Sequence, residues 1–144
     1  VTTGAVILVL ALVFAVAFGA WRRWSDGRFR SSAADSAAVP APQLSPLADT
    51  PWGDELGERA TLLQFSSAFC APCRATRRIL GEVAEIVPGV AHIEVDAEEH
   101  LELVRRLEIV RTPTTLVLDS AGHEVTRAAG APTKEQVLNA LARA

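Results

Sequence analysis

Leu62-Leu63-Gln64-Phe65-Ser66-Ser67-Ala68-Phe69-Cys70-Ala71-Pro72-Cys73-Arg74 joins a strand pattern to a helix start within thirteen residues. Its first half, taken from Thr61 to Phe65, is a short apolar run of the buried-strand type. Pro72 cannot sit deep in a helix, but it fits the first turn, where a missing N–H breaks no bond. A helix is therefore predicted from about Ala71 to Val87, and Pro88-Gly89 stops it. Ile79, Leu80, Val83, Ala84 and Val87 share one face of it, while Arg74, Arg77, Arg78, Glu82 and Glu85 lie elsewhere.

Cys70 and Cys73 are the entire thiol content of the chain, too few for a stabilising disulfide framework. A loop this short also constrains the unfolded chain very little, so reactivity explains the pair better than stability does. A cysteine at a helix N-terminus faces unpaired backbone N–H groups and the positive end of the helix dipole, which favour thiolate. Cys70 is the predicted thiolate. Cys73, one turn on, is placed to resolve a mixed disulfide and is expected to be the more buried of the two. Arg74 beside them adds positive potential or is simply solvated. The alternative of a zinc half-site lacks ligands, because His92, His100 and His123 offer no partner spacing for a four-ligand site, and no metal or other cofactor is expected.

Working outward, Val90–Asp96 reads as a second strand and Glu99–Leu107 as a helix burying Leu101, Val104 and Leu107. Thr114–Leu118 and Glu124–Ala128 flank the turn Asp119-Ser120-Ala121-Gly122 and predict an antiparallel hairpin. The last helix opens at Thr133, with Gln136 at capping-box spacing, and is expected to bury Val137, Leu138 and Leu141. Two early crossovers imply parallel pairing and the late hairpin antiparallel, so the class is α/β with a mixed central sheet between helices.

Toward the N-terminus, Ala5–Trp21 is a 17-residue run without charge, at the short end of what spans a hydrocarbon layer. Trp21, Arg22, Arg23 and Trp24 close it with the aromatic and cationic residues expected at headgroup level. A cleaved signal peptide is the competing reading, with Ala17-Phe18-Gly19 as a cleavage site of sorts, but Val1-Thr2-Thr3-Gly4 carries no basic side chain. The positive charge after the span predicts a cytoplasmic domain. Ser, Ala and Pro then dominate up to Pro51. The expected division is a transmembrane anchor at 4–24, a flexible linker at 25–51 and a folded domain at 52–144. A linker of about twenty residues reaches roughly 25 Å, so the domain is expected to work near the membrane without touching it.

The 144 residues are 49% hydrophobic with a formal net charge of −3, enough for one well-buried domain. From Trp52 onward 10 Lys/Arg face 14 Asp/Glu, which argues against a phosphate-backbone partner, so no nucleic-acid binding is expected.

Leu62–Arg74 resembles the active-site strand and helix start of the thioredoxin family, with Ala71-Pro72 where the family has Gly-Pro. Ile109-Val110-Arg111-Thr112-Pro113-Thr114 resembles the family's cis-proline segment, which implies that Pro113 is cis and that Thr112 and Pro113 face a substrate strand. Gly130-Ala131-Pro132-Thr133 resembles the family's glycine before the last helix, and the resemblance spans about Ala60 to Ala142. It implies a thioredoxin-like fold and a protein-disulfide reductase with Cys70 and Cys73 catalytic. Its implied partners are disulfide-containing proteins and an electron donor that the sequence does not identify, met by a membrane-anchored monomer. Three departures stand out. Gln64 replaces the family's buried acid, His92 aligns with its nearby lysine, and Ser66 and Phe69 replace its flanking tryptophans. Leu47–Arg59 is too short for the family's first strand and helix, so a trimmed N-terminus is expected. Two readings compete with the reductase: an outward-facing envelope oxidoreductase, and a redox sensor or adaptor without enzyme activity, which Gln64 keeps open.

Overall fold

Downstream of Ala60 the predicted alternation of strands and helices closes around one sheet. The computed structural model describes residues 2–31 and 45–144. Its elements are α1 (Thr2–Ser25), β1 (Phe29–Ser31), β2 (Ala60–Ser66), α2 (Ala71–Ile86), β3 (Val90–Asp96), α3 (Leu101–Arg106), β4 (Thr114–Asp119), β5 (Glu124–Ala129) and α4 (Lys134–Leu141). The sheet runs β1-β5-β4-β2-β3. β2 and β3 are parallel, and the pairs β2/β4, β4/β5 and β1/β5 are antiparallel. The hairpin turns where expected: the Asp119 carboxylate accepts from the N–H groups of Ala121 and His123 at 2.9 and 2.8 Å, and Gly122 takes a φ of +81°.

Alternation along β2 divides the core into two. Ala60 and Leu62 join Leu80 and Val83 of α2 and Val137, Ala140 and Leu141 of α4 on one face. Leu63 and Phe65 point the other way, to Ile93, Val95, Leu103, Leu116, Leu118 and Leu47. Fully burying a side chain such as Leu80 contributes about 2 kcal/mol, so both faces are needed to hold the sheet. The capping box at Thr133 and Gln136 is formed in both directions.

Three expectations require correction. Leu138 is 37% exposed and Ala140 is buried in its place, because residues 137, 140 and 141 share a helix face and 138 is turned about 100° from it. Leu101 is 51% exposed: α3 starts there, and Leu103 is the residue that reaches the core, with Val104 and Leu107 packed beside it.

The third concerns the expected linker at 25–51. Within it Phe29–Ser31 pairs with β5, and Leu47 is fully buried. Phe29 also packs against the first core, so its apolar side chain supplies a reason for the strand to dock. The chain therefore rejoins the domain immediately after α1, and only residues 32–44 of that stretch lie outside the described residues. Among the described residues no strand pairs with the outer side of β3. Helix α1 itself is exposed along its apolar run and long enough to cross a hydrocarbon layer, a property that signal sequences share.

Candidate active site

Cys70 is the N-cap of α2, with extended backbone (φ −90°, ψ 98°), and its Sγ accepts the Cys73 N–H at 3.2 Å. Pro72 lies in the first turn, which carries no acidic residue to oppose the helix dipole. Phe69 makes the corner from strand to helix with a φ of +59° and projects fully into solvent. The two cysteines form a disulfide, with Cα atoms 5.2 Å apart. Cys70 is half-buried and Cys73 only 2% exposed, so one sulfur meets solvent and the other faces the core.

The Thr112–Pro113 peptide is cis. The Thr112 hydroxyl lies 2.9 Å from that of Ser67, three residues before Cys70, which ties the cis-proline loop to the loop carrying the cysteines. Thr114 Oγ1 donates to the Arg111 carbonyl at 2.7 Å and the Gly130 N–H to the Pro113 carbonyl at 2.8 Å, closing the loop against the turn before α4. Ala71 and Arg74 are exposed.

Beneath the disulfide lies Gln64. Strand alternation puts it on the α2 side of β2, where it is completely buried, and its Nε2 donates to the Cys73 carbonyl at 2.9 Å. A carbonyl only accepts, so the amide orientation is determined, and Oε1 must face His92. His92 Nε2 lies 3.1 Å from that oxygen and therefore carries the proton. Burial lowers the His92 pKa, which favours the neutral ring. Beside it Glu94 accepts from Ser66 Oγ at 2.7 Å and from both Arg77 Nε and a terminal Arg77 nitrogen at 2.6 and 2.7 Å. Burial on its own would raise the Glu94 pKa, but the hydrogen bonds from Arg77 and Ser66, with the Arg77 charge, hold it below the usual carboxylate range.

Two further fully buried hydroxyls, Thr76 Oγ1 and Thr115 Oγ1, have no hydrogen-bond partner among the described residues. Thr115 stands opposite Gln64 in the β2/β4 register, and Thr76 lies one turn after Cys73. Sequence reading overlooked Ser67, Thr76, Thr115 and the Glu94–Arg77 pair. The signal for Glu94 was present, since it occupies the same strand face as His92.

A model of the thioredoxin family matches residues 43–143. The chain belongs to the thioredoxin family. Among relatives, thioredoxin H2-1 of Oryza sativa subsp. japonica is 32% identical over 54% of this chain and 55% of its own length. An H-type thioredoxin of Fagopyrum esculentum is 28% identical over 56% of this chain and 68% of its own. The match thus spans between about half and two thirds of these thioredoxins. The structure of spinach chloroplast thioredoxin F, short form, superposes with a TM-score of 0.56 at 26% identity, covering 65% of this chain and 85% of that one. The thioredoxin-like fold expected from the sequence is the fold observed, and it carries the Cys70–Cys73 disulfide of the Cys-Ala-Pro-Cys motif.

Proposed function

We propose that the chain is a thiol–disulfide oxidoreductase of the protein-disulfide reductase type. What carries this reading is the half-buried Cys70 at the N-cap of α2, bonded to a buried Cys73, beside the cis Thr112–Pro113 peptide. In the reduced form the Cys70 thiolate attacks a substrate disulfide and expels one substrate thiolate, leaving a mixed disulfide. Cys73 then attacks the Cys70 sulfur, expels the second thiolate and re-forms the Cys70–Cys73 bond. Two electrons and the equivalent of two protons pass to the substrate, and an external dithiol donor restores the pair. Thr112 and Pro113 present backbone to the substrate strand, Ala71 and Pro72 shape the turn, and Gln64 orients Cys73. No metal or cofactor takes part in this scheme.

We assign α1 as a single-pass anchor of a monomer and the domain to the cytoplasmic side, a reading that the basic residues Arg22 and Arg23 at the end of α1 support. A reducing compartment agrees with a reductase. Protease added to intact cells is expected to leave the domain uncut, and cleavage from outside would instead favour the envelope-facing reading.

The test of activity is a Cys73→Ser trap in membranes together with insulin reduction by the intact chain. Captured mixed disulfides, their loss on Cys70→Ser, and a reduction potential near about −270 mV are expected. A potential near about −120 mV would refute the reductase direction. Gln64, which cannot accept a proton as a carboxylate does, favours a second reading as a redox sensor or adaptor. An empty trap with no insulin reduction would select it.

A further inference from the structure

The anchor is stapled to the rim of the active site. Directly after α1, Asp26 pairs with Arg111 at 3.1 Å, and the same guanidinium donates to the Ala129 carbonyl at 2.7 Å. Arg111 immediately precedes the cis Thr112–Pro113 peptide. The Gly27 N–H donates to Ala129 at 2.9 Å, and Gly27, with a φ of +72°, lies so close to Ala131 that an added Cβ would meet its carbonyl at 2.2 Å. Gly130, which bonds the Pro113 carbonyl, has Gly27 and Asp26 within contact distance of where its own Cβ would be. Trp24 stacks beneath Arg28 at 4.8 Å, and the last turns of α1 line a cleft of about 960 Å³ shared with Thr133 and Gln136 at the start of α4. Trp21, Arg22, Arg23 and Trp24, the residues that mark the headgroup level, are thus two to five positions from Asp26, which touches the cis-proline segment at Arg111.

Two large apolar side chains bracket this site and are nearly bare: Phe69 beside Cys70, and Val110, 88% exposed, beside Arg111. Resting on the anchored-oxidoreductase reading above, we propose that the Cys70 face works at headgroup level on a disulfide of a membrane-inserted protein, with Phe69 and Val110 contacting apolar residues that flank that disulfide. Reach restricts the site to disulfides near the bilayer. A free linker would let the site sample disulfides at any height, whereas the Asp26, Gly27 and β1 contacts hold it close to the bilayer plane.

The test uses the full, pre-reduced chain in phosphatidylcholine vesicles, in single turnover, with disulfide peptides attached to lipid headgroups. One peptide carries a short spacer and the other a spacer of about thirty Gly/Ser residues, reaching roughly 30 Å. The native chain is expected to reduce the short-spacer peptide at least about five-fold faster. Inserting about twelve Gly/Ser residues between Ser25 and Asp26, roughly 20 Å of reach, is expected to erase that preference while reduction of a soluble peptide is unchanged. Equal native rates, or a preference that survives the insertion, would overturn the proposal. So would a rate on the short-spacer peptide, made with apolar residues flanking its disulfide, that Phe69→Ser with Val110→Ser leaves unchanged, since those side chains would then be lipid contacts or bystanders. A fluorophore on Val110→Cys, in a Cys70→Ser, Cys73→Ser chain, reports position independently of chemistry through energy transfer to a headgroup acceptor. Strong transfer that the insertion weakens supports the placement, and transfer insensitive to the insertion overturns it. Failure to reduce any peptide, the soluble one included, would sink the oxidoreductase reading, and the placement is then decided by the energy transfer.

Discussion

Gln64 sits where an ionisable group would couple the dithiol to pH, yet it offers only a neutral amide. Its two hydrogen bonds, to the Cys73 carbonyl and from His92, are both buried or partly buried. Replacing it with Leu strands both partners, and a loss of about 1–3 kcal/mol is expected in urea unfolding. A loss below the error of the measurement would show that the network does not hold Cys73. Titration passes instead to His92 and Glu94, whose pKa values are both lowered in the fold. For either group the unfolded chain binds more protons in the window between the two pKa values, so stability rises with pH there. Stability is expected to be lost as pH falls below about 6.5 for His92 and again below about 4.5 for Glu94. His92→Gln should remove the first step from a pH series of melting curves and keep the second. The unpartnered hydroxyls of Thr76 and Thr115 predict the opposite kind of result. Thr115→Val exchanges an unsatisfied hydroxyl for a methyl of similar shape and is expected to leave stability unchanged or raise it by about 1 kcal/mol. Destabilisation by more than that would reveal a partner for the hydroxyl.

Among the elements, α2 and α4 were the most legible, because their apolar residues repeat at helical spacing and their ends carry recognisable caps: Cys70 with Pro72, and Thr133 with Gln136. Leu138 shows the limit of such reading. It is apolar and adjacent to Val137, but one residue is enough to rotate it off the buried face. β1 was not legible at all, since three residues, Phe29-Arg30-Ser31, show no period to read. Its attachment depends on Gly27, whose left-handed backbone and contact with Ala131 leave no room for a side chain. Gly27→Val is expected to release β1 from β5. Hydrogen exchange should then show faster exchange at Phe29–Ser31 and along β5, with β2 and β4 still protected. Unchanged protection at β5 would mean that β1 adds no stability to the edge it covers.

As a body, the molecule differs from a domain on a string. The charge balance, the membrane-length helix, the order of strands and helices and the cysteine pair at a helix start could all be read from local patterns, because alternation, helical spacing and capping involve residues only a few positions apart. Resemblance added the fold and the cis peptide at Thr112–Pro113. What neither reading provided was which distant segments meet. Arg30 bonds Thr126 across 96 residues, Asp26 pairs with Arg111 across 85, and Ser67 meets Thr112 across 45. These contacts depend on register and on the packing of both core faces, which no local window of sequence contains. The cysteine pair and the elements around it were therefore determined by the sequence alone. The partners of Gln64 and the docking of the segment after α1 against the cis-proline loop were decided only when the sheet closed, because long-range contacts exist only between segments the tertiary fold has already brought together.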